Sequence, residues 1–396
     1  MSIDQCIKCS ICTAYCPVLK ATGLFPGPKL SGPDAARFRL GKLAIPSDWL
    51  ELCDYCKICE MVCPSGVPIS DLHLQARKAQ GRYRRPRLRD FLLAQSSLIG
   101  KLGIAGAPFF NRLTRSVFLR WLLDRGLAID KRAILPSYPN KTFVHWFRDK
   151  LPIKGKPLAY FHGCYTNYID PEIGKAVVAV LELNGFQMIL PEQECCGLPL
   201  IGNGFFHLAT NLAHKNVKTL GQFAEKGIKI VFSSPSCGMT IKREYERILN
   251  ISEAAKWCDR ILDVFQFLLA LREEGNLNSS FKPIHQTLYY HVPCHLRALQ
   301  IGLPALEILS LIPGLEVKEL PDNCCGLAGT YGFKKEKYDI AIEIGKPTFQ
   351  VIRELGVKKV ISDCEACRMQ IEAQCGVQVL HPIQILKMAY EGEPFG

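Results

Sequence analysis

The spacing of the cysteines limits what this chain can fold into more than any other feature of its sequence. Nineteen of the 396 residues are cysteine, and eight of these lie in two copies of the run CxxCxxCxxxCP. The chain begins without the charged and then apolar residues of a secretion signal. We therefore predict a reducing, cytoplasmic setting in which the thiolates bind metal instead of forming disulfides.

The two runs resemble the ligand runs of two-cluster bacterial ferredoxins. In that arrangement three cysteines of a run face one cluster, while the fourth, followed by proline, ligates the other cluster. A pair of zinc ions is the alternative, but a zinc site needs four cysteines without the triple spacing. The interpretation assigns one [4Fe-4S] cluster to Cys6, Cys9, Cys12 and Cys63, and a second to Cys16, Cys53, Cys56 and Cys59.

Composition divides the chain into four parts. Residues 1–80 carry both runs and predict a two-cluster 4Fe-4S domain, an α+β ferredoxin-like module that is mostly helix and loop. Residues 81–150 contain no cysteine and an excess of basic residues, which indicates a helical linker and a candidate membrane or partner surface. Residues 155–280 and 285–396 repeat one pattern, so we interpret them as two copies of one domain.

Three stretches of the two copies align. LAYFHGC matches LYYHVPC, each copy has one CCG triplet, and IVFSSPSCGMTI matches VISDCEACRMQI. Apolar runs alternate with amphipathic stretches, including a helix expected at 336–355, which predicts a duplicated α/β domain with parallel sheets. Loops that follow parallel strands meet at one edge of the sheet. The cysteines of both copies lie on such loops.

The CCG triplets belong to larger sets of thiols. Two adjacent thiolates point in different directions, so they suit different irons of one cluster better than one compact ion, and five soft thiolates exceed a tetrahedral site. The second copy offers Cys294, Cys324, Cys325, Cys364 and Cys367. The first copy offers Cys164, Cys195, Cys196 and Cys237, with Ser234 at the position of Cys364.

This pattern resembles the cysteine-rich CCG domains of the B subunit of heterodisulfide reductase and of the iron–sulfur subunits of lactate and glycolate oxidation systems. The resemblance implies one non-cubane [4Fe-4S] cluster for each complete motif, and hence one in the second copy. For the first copy three outcomes stay open: a cubane cluster, an altered cluster, or a fold without metal.

Other residues near these motifs have simpler interpretations. His162, His291 and His295 flank the leading cysteines and could tune a cluster through hydrogen bonds, although structural roles are commoner for such histidines. Cys258 and Cys375 have no counterpart in the repeat and are expected to be ordinary buried thiols.

Over nearly its whole length the chain resembles the family of the C subunit of bacterial anaerobic glycerol-3-phosphate dehydrogenase. The resemblance is carried by GPKLSGPD, FHGCYTNY, CCGLPLIGNGF, CCGLAGTYGFKKE and DCEAC. It implies an electron-transfer subunit that works with a flavin-bearing catalytic subunit and a second subunit, and passes electrons to the membrane quinone pool. It also implies peripheral attachment at the cytoplasmic face of the inner membrane.

The sequence itself assigns no catalytic residue. It has no GxGxxG after a strand, no P-loop and no HExxH, so no fingerprint for a nucleotide cofactor or a catalytic zinc is present. Three alternatives remain beside the relay: a CCG-type thiol or disulfide reductase, an iron–sulfur subunit of another quinone-linked 2-hydroxy acid dehydrogenase, and a membrane-docking scaffold with structural clusters. Ser234 weighs against the reductase, because paired cluster chemistry would need both complete motifs.

The basic charge is concentrated in the middle of the chain. Between Arg77 and Lys150 there are 17 Lys and Arg against 4 Asp and Glu. We predict an amphipathic helix over Asn111–Leu127 that lies on an anionic membrane. The alternative is a helix whose apolar face packs on the two copies or on a partner subunit. Nucleic acid is not expected, because no binding motif accompanies the charge.

Overall fold

The computed structural model describes residues 5–40, 48–80, 87–321 and 323–393. It contains a helical amino-terminal module, a helical middle segment and two α/β domains, each built on a four-stranded sheet. The predicted order of a ferredoxin-type module followed by a duplicated domain with parallel sheets is confirmed.

Short helices and loops make up the described part of the amino-terminal module. Its elements are α1 (Ile11–Ala14), α2 (Pro17–Ala21), a π-helical turn (Leu30–Asp34), α3 (Ala35–Leu40), α4 (Asp48–Leu52), α5 (Ile58–Met61) and α6 (Ile69–Gln80). Apolar burial in this module involves the cysteines themselves, since Cys12 packs with Val67, Ile69 and Leu72. The ligand runs therefore form part of the core that holds the module together.

The two ligand runs adopt the same backbone conformation. Lys8 and Ser10 have φ of 60° and 66°, and their counterparts Tyr55 and Lys57 both have φ of 63°. Left-handed residues on both sides of the middle cysteine turn the chain sharply. A short helix follows each of these turns and carries the third cysteine, Cys12 in α1 and Cys59 in α5. The turn and the helix together bring the three cysteines of CxxCxxC to one side.

From residue 87 onward, where the structure describes it, the middle segment has five helices. They are α7 (Leu88–Ala94), α8 (Ser96–Ala105), α9 (Ala107–Thr114), α10 (Val117–Gly126) and α11 (Phe143–Arg148). The single helix predicted over Asn111–Leu127 is therefore wrong, because the backbone becomes extended at Ser116. The break is stabilised by Arg120, whose guanidinium donates to the carbonyl of Thr114 at 2.9 Å and also reaches the carbonyl of Lys131.

The first copy has one parallel sheet with the strand order β2-β1-β3-β4. Its strands are β1 (Lys156–Phe161), β2 (Phe186–Ile189), β3 (Ile230–Phe232) and β4 (Ile261–Asp263). Its α-helices are α12 (Gly163–Tyr168), α13 (Pro171–Leu183), α14 (Leu198–Gly202), α15 (Phe206–Glu225), α16 (Pro235–Met239), α17 (Tyr245–Arg247) and α18 (Val264–Glu273). A π-helical turn (Thr240–Glu244) and a 3-10 segment (Ser252–Arg260) complete it.

The second copy repeats this topology with the order β6-β5-β7-β8. Its strands are β5 (Gln286–Tyr290), β6 (Leu315–Glu319), β7 (Lys359–Ile361) and β8 (Gln378–Leu380). Its helices are α19 (Cys294–Leu299), α20 (Pro304–Leu309), a 3-10 turn (Tyr331–Phe333), α21 (Lys335–Leu355), α22 (Glu365–Cys375) and α23 (Pro382–Glu391). The helix expected at 336–355 is confirmed as α21.

The two copies share one hydrophobic core. Helix α13 of the first copy packs against α23 of the second, and α18 packs against α20. Val177 and Leu181 from one side and Ile385 and Leu386 from the other are all fully buried in it. Large apolar side chains of this kind contribute about 1.5–3 kcal/mol each on burial. The interface between the copies is therefore fixed, and so are the loops that meet across it.

The middle segment contacts both copies through ion pairs and through closely packed helices. Arg89 makes a two-pronged ion pair with Glu336 at 2.7 and 2.8 Å, and Lys335 pairs with the buried Asp124 at 2.5 Å. Helix α8 packs on α12, where Gly100 lies so close to Tyr168 that a Cβ would sit 2.5 Å from its ring. The middle segment thus contacts both copies, but not through the apolar face of the helix that was predicted over Asn111–Leu127.

Candidate metal centres

The amino-terminal cysteines form two groups that mix the two ligand runs. Cys12 lies beside Cys6 of its own run and Cys63 of the other. Cys59 lies beside Cys53 of its own run and Cys16 of the other. We call these groups the outer ferredoxin set (Cys6, Cys9, Cys12, Cys63) and the inner ferredoxin set (Cys16, Cys53, Cys56, Cys59). For Cys6, Cys12 and Cys63, and for Cys16, Cys53, Cys56 and Cys59, the structure brings together the thiols that the crossed assignment groups. Ligation itself stays a prediction.

Burial differs between these two sets. Cys9 of the outer set is exposed, whereas Cys16 and Cys56 of the inner set are buried. Burial raises the pKa of Cys16 and of Cys53 to about 12, and the neighbouring Asp54 adds to both shifts. Such thiols stay protonated unless a cation replaces the proton. Closely grouped, desolvated thiols of this kind fit an iron–sulfur cluster.

In the two copies every predicted cysteine lies at the carboxyl end of a parallel strand. Cys164, the pair Cys195–Cys196 and Cys237 follow β1, β2 and β3. Cys294, the pair Cys324–Cys325 and the Cys364–Cys367 loop follow β5, β6 and β7 in the same way. Because these three strands are neighbours in each sheet, the loops converge as the sequence predicted.

The adjacent cysteines of each CCG triplet divide their contacts in the same way in both copies. Cys195 lies 3.9 Å from Cys164, measured between the sulfurs, and Cys196 contacts Cys237. Cys324 contacts Cys294, and Cys325 contacts Cys367. The first thiol of each pair thus faces the leading cysteine and the second faces the last one. Each copy therefore has its own pair of adjacent cysteines, whose two sulfurs face opposite sides of one site.

The backbone conformation explains why each CCG triplet ends in glycine. Gly197 and Gly326 have φ of 89° and 82°, a conformation that other residues rarely adopt. At Gly326 a Cβ would also lie 1.9 Å from the carbonyl oxygen of Ala341 in α21. The glycine therefore lets the cysteine pair approach the long helix of its own domain.

Hydrogen bonds among the thiols set their protonation. The hydrogen bonds that Cys195 shares with Cys164 and then with Cys196 lower the pKa of Cys195 well below its usual value. Cys324 and then Cys367 donate to Cys325, which lowers the pKa of Cys325 to about 6. Each copy therefore stabilises one thiolate inside a buried group of thiols. That is the form of sulfur that binds iron.

The inner ferredoxin set adjoins the thiols of the second copy. The charges of Asp54, Cys324 and Cys294 act on Cys56, adding to the burial that raises its pKa. Cys324 also lies 3.9 Å from Asp54 Oδ2, and it packs with Cys16, Cys53 and Ile344. No sequence spacing predicted this contact, which places two thiol sets side by side.

A buried group of charges fixes the inner set to the first copy. Lys57, between Cys56 and Cys59 in the ligand run, lies 3.1 Å from Asp71 and 3.1 Å from Glu244, and the side chains of all three are fully buried. Although burial lowers the pKa of Lys57, Glu244, Glu60 and Asp71 outweigh it and hold that pKa above its ordinary value. Tyr55 also donates to Glu244 at 2.5 Å. Sequence reasoning missed this group.

The histidines near the leading cysteines are neutral, with His162 and His291 buried and His295 half-buried. Burial lowers the pKa of His162, His291 and His295 to about 4 in each case. His162 packs edge-on against Phe143, with 5.5 Å between the ring centres, as a structural histidine does. His295 is different, since it contacts Ser236 Oγ at 3.0 Å and the carbonyl of Tyr55 at 3.3 Å. It thereby links both copies to the inner ferredoxin set.

The two unmatched cysteines, Cys258 and Cys375, bond to backbone carbonyls. Cys258 donates to the carbonyl of Ala254 at 3.1 Å, and Cys375 donates to the carbonyl of Phe349 at 3.8 Å. Both are partly buried. Their contacts are those of ordinary structural thiols. In the described ranges, no three cysteine, histidine or acidic side chains converge closely enough for a single metal ion.

Fold and thiol sets together define an iron–sulfur protein. The chain matches the 4Fe-4S dicluster domain over residues 2–67, and it matches the cysteine-rich domain twice, over 158–242 and 288–372. It is 39% identical to the C subunit of anaerobic glycerol-3-phosphate dehydrogenase from Escherichia coli, over 98% of each chain. The chain belongs to the family of this C subunit and carries 4Fe-4S clusters.

More distant relatives match most of this chain. The B subunit of fumarate reductase (CoM/CoB) from Methanothermobacter marburgensis is 27% identical over 98% of this chain and 72% of its own length. The D subunit of dihydromethanophenazine:CoB–CoM heterodisulfide reductase from Methanosarcina barkeri is 25% identical over 94% of this chain and 88% of its own. All three relatives are named as subunits of larger enzymes, so this chain works with partner subunits.

Proposed function

We propose that this chain is the electron-transfer subunit of an anaerobic glycerol-3-phosphate dehydrogenase. It receives electrons from a flavin-bearing catalytic subunit and passes them toward the membrane quinone pool. A bound [4Fe-4S] cluster supplies one-electron chemistry, and the protein sets its burial and its neighbours. The E. coli relative is named as a subunit of this dehydrogenase, and the chain shares its length and domain order.

The observation that carries the proposal is the continuity of the thiol sets. The outer ferredoxin set reaches the surface at Cys9, and its Cys12 packs with Cys59 of the inner set. The inner set adjoins Cys324 and Cys294 of the second copy through Cys56. The second copy in turn touches the first, since Ser236 Oγ lies 3.9 Å from Cys364 Sγ. One unbroken series therefore runs from an exposed edge to the interface between the copies.

The exposed end of this series is suited to a redox partner. Around the first ligand run the side chains of Ile7, Ile11 and Tyr15 are 66%, 38% and 57% exposed. A patch of apolar side chains beside an exposed cysteine fits a transient protein interface. We assign this edge to the electron-donating flavoprotein.

Reconstitution tests the proposal. The purified flavoprotein and second subunit are mixed with this chain under argon, and reduction of a soluble quinone by glycerol-3-phosphate is followed. Quinone reduction should require the chain. Equal rates with and without it would contradict the relay, and reduction of a disulfide by the chain alone, given a chemical reductant, would support the thiol reductase instead.

Membrane contact is the second part of the proposal. Among the described residues no helix is both long and apolar enough to cross a membrane. Helices α9 and α10 leave several apolar residues in solvent, and Phe109, Val117 and Phe118 are 67%, 82% and 70% exposed. Trp121 and Leu122 extend this apolar face. Arg112 and Arg125 are exposed on the two helices, and Arg115 is exposed in the turn between them.

Apolar side chains mixed with arginines suit an anionic lipid surface. Each basic residue near such a surface contributes about 1 kcal/mol, and the apolar side chains enter the headgroup region. The other side of these helices is occupied, since Asp124 binds Lys335 of the second copy. We therefore propose that α9 and α10 attach the complex peripherally to the cytoplasmic face of the inner membrane.

Vesicle binding tests this attachment. The double variant Arg115→Glu/Trp121→Glu should no longer bind phosphatidylglycerol vesicles, while its iron content stays unchanged. The matched control is Leu151→Glu/Lys154→Glu, which makes the same charge changes at exposed residues outside α9 and α10. Binding of the first variant that is undiminished and insensitive to salt, or an equal loss in the control, would remove this surface as the attachment site.

A further inference from the structure

The first copy supplies one cysteine fewer to its site than the second copy does. The fifth thiol of the second copy, Cys364, corresponds to Ser234 in the first, as the alignment of IVFSSPSCGMTI with VISDCEACRMQI shows. Ser234 caps α16, since its Oγ accepts from the backbone N–H of Cys237 at 3.4 Å. A neutral hydroxyl is a poor substitute for a thiolate as an iron ligand.

A carboxylate from the other copy reaches this position. Glu365 follows Cys364 in the second copy, yet its side chain accepts the hydroxyl of Ser234 at 3.0 and 3.1 Å from its two oxygens. Glu365 also lies with Cys164, Cys237 and Ser234 around a single cavity. The residue that meets Ser234 is therefore an anionic oxygen donor placed beside two thiols of the first copy.

The contact has no mirror image in the second copy. The counterpart of Glu365 in the repeat is Pro235, which has no side-chain donor or acceptor. The first copy instead sends Ser236 toward the second site, where its Oγ lies 3.9 Å from Cys364 Sγ. Each copy thus places one side chain at the site of the other copy. Only the first-copy site receives a carboxyl group, that of Glu365, whereas the second-copy site receives the hydroxyl of Ser236.

We propose that the first copy holds an iron–sulfur cluster with mixed ligands, in which Glu365 of the second copy supplies a carboxylate beside Cys164, Cys195, Cys196 and Cys237. Carboxylate oxygen is an accepted ligand of iron, and an anion among thiolates is stable only when a cation balances it. Arg368, on the same helix as Glu365, also lines this cavity, but its guanidinium is paired with Asp170 at 3.0 Å. The carboxylate of Glu365 therefore lies among thiols whose negative charge iron would balance. This inference concerns the first copy only and does not depend on which enzyme the relay serves.

Removal of the first-copy site comes first in the test. Cys164→Ser should lower the iron content by about four atoms per chain and abolish one set of EPR features. Unchanged iron and EPR in this variant would mean that the first copy holds no cluster, and the proposal would be overturned.

Glu365→Gln then tests the carboxylate, because it keeps the shape and removes the charge. It should alter the EPR features that Cys164→Ser abolishes, and it should release iron to an anaerobic chelator about 10-fold faster or more. Glu372→Gln is the matched control, an exposed carboxylate on the same helix that does not line the cavity. It should change neither property.

Two further variants show whether Glu365 is a ligand of the first-copy cluster or only lies near it. In the Cys164→Ser background, Glu365→Gln should have no added effect on EPR, and a remaining effect would place Glu365 at the second-copy site and overturn the proposal. Ser234→Cys supplies the missing thiol, so it should restore slow iron release to Glu365→Gln. Iron release and EPR of Glu365→Gln that equal the wild type would also overturn it. Quinone reduction enters none of these readouts, so a failure here is distinct from a failure of the relay.

Discussion

The two cysteine-rich copies have one topology and two different sets of candidate ligands. Each has a parallel sheet of four strands in the same order, and each divides its CCG pair between a leading and a last cysteine. They differ at the loop after the third strand of the series, where the first copy has Ser234-Pro235 and the second has Cys364-Glu365. Duplication has kept the positions from which ligands project and changed the residues that occupy them.

The two copies also bind the amino-terminal module differently. The first copy uses the buried pair of Glu244 and Lys57, whereas the second has Gln374 at the position of Glu244. The second copy instead brings Cys324 next to Asp54 and places Lys337 against the carbonyl of Glu51. The second copy therefore adjoins the inner ferredoxin set through its thiols, and the first mainly through a charge pair. This difference predicts that the second copy is the nearer acceptor.

The largest effect is expected from Cys56→Ser, which cuts both copies off from the amino-terminal module. Loss of one thiolate leaves an iron without a ligand, so the inner ferredoxin cluster should degrade and quinone reduction should stop. Iron analysis and the reconstituted assay measure the two results. Cys258→Ser is the control, since Cys258 lies outside the four sets. Wild-type iron and turnover in Cys56→Ser would refute the assignment of this ligand.

A second change makes the second copy resemble the first. Cys364→Ser should remove or convert the second-copy cluster, because the hydroxyl cannot replace the fifth thiolate, and it should leave the ferredoxin signals nearly unchanged. EPR of the reduced and oxidised protein measures both. If every EPR feature survives in Cys364→Ser, five thiolates are not needed at this site.

Lys57→Met breaks the charge pair that only the first copy has. Removing one partner of a buried ion pair leaves Glu244 and Asp71 unbalanced, so the free energy of unfolding should fall by about 3–5 kcal/mol. Urea unfolding under argon measures it, with Lys101→Met, an exposed lysine, as the control. A loss no larger than that of the control would show that the pair does not hold the first copy in place.

The smallest effect concerns the helix caps after the last strand of each copy. Asp263 caps α18 in the first copy, and His381 caps α23 in the second by accepting from the N–H of Ile383 at 3.1 Å. Burial lowers the pKa of His381 to about 3, so between pH 6.5 and 3 only the unfolded chain binds this proton. Stability due to His381 is therefore present above pH 6.5 and falls with pH, by about 1.4 kcal/mol per unit.

The variant His381→Asn tests this slope, because asparagine caps a helix without titrating. The stability of the variant should fall less between pH 7 and pH 5 than that of the wild type, as urea unfolding at both values shows. Asp263 has the opposite sign, since burial raises its pKa to about 7 and its contribution is lost as the pH rises. Equal slopes for variant and wild type would mean that His381 is not held neutral.

Much of this architecture is readable from the sequence. The repeat of LAYFHGC and IVFSSPSC fixes which segments are equivalent, and alternating apolar and amphipathic stretches predict the parallel sheets and α21. The crossed grouping of the ferredoxin cysteines is implied by the resemblance of the two CxxCxxCxxxCP runs to those of two-cluster bacterial ferredoxins. These features depend on residues that are close together in the chain.

The features that the sequence did not predict depend on contacts between residues that are far apart in the chain. Tyr55 and Glu244 are separated by 189 residues and Ser234 and Glu365 by 131, so no spacing relates them. The break between α9 and α10 is hidden for a related reason, because Arg120 satisfies carbonyls on both sides of it, including that of Ala133. Side chains that cross domain boundaries appear only when the domains are packed together.

The most direct test of the relay is rapid-freeze EPR of the complete complex after glycerol-3-phosphate is added under argon. If electrons follow the series of thiol sets, the ferredoxin signals should appear first and the second-copy signal should follow. In Cys56→Ser the second-copy signal should then fail to appear on the turnover timescale. A second-copy signal that develops at the wild-type rate in Cys56→Ser would contradict the relay.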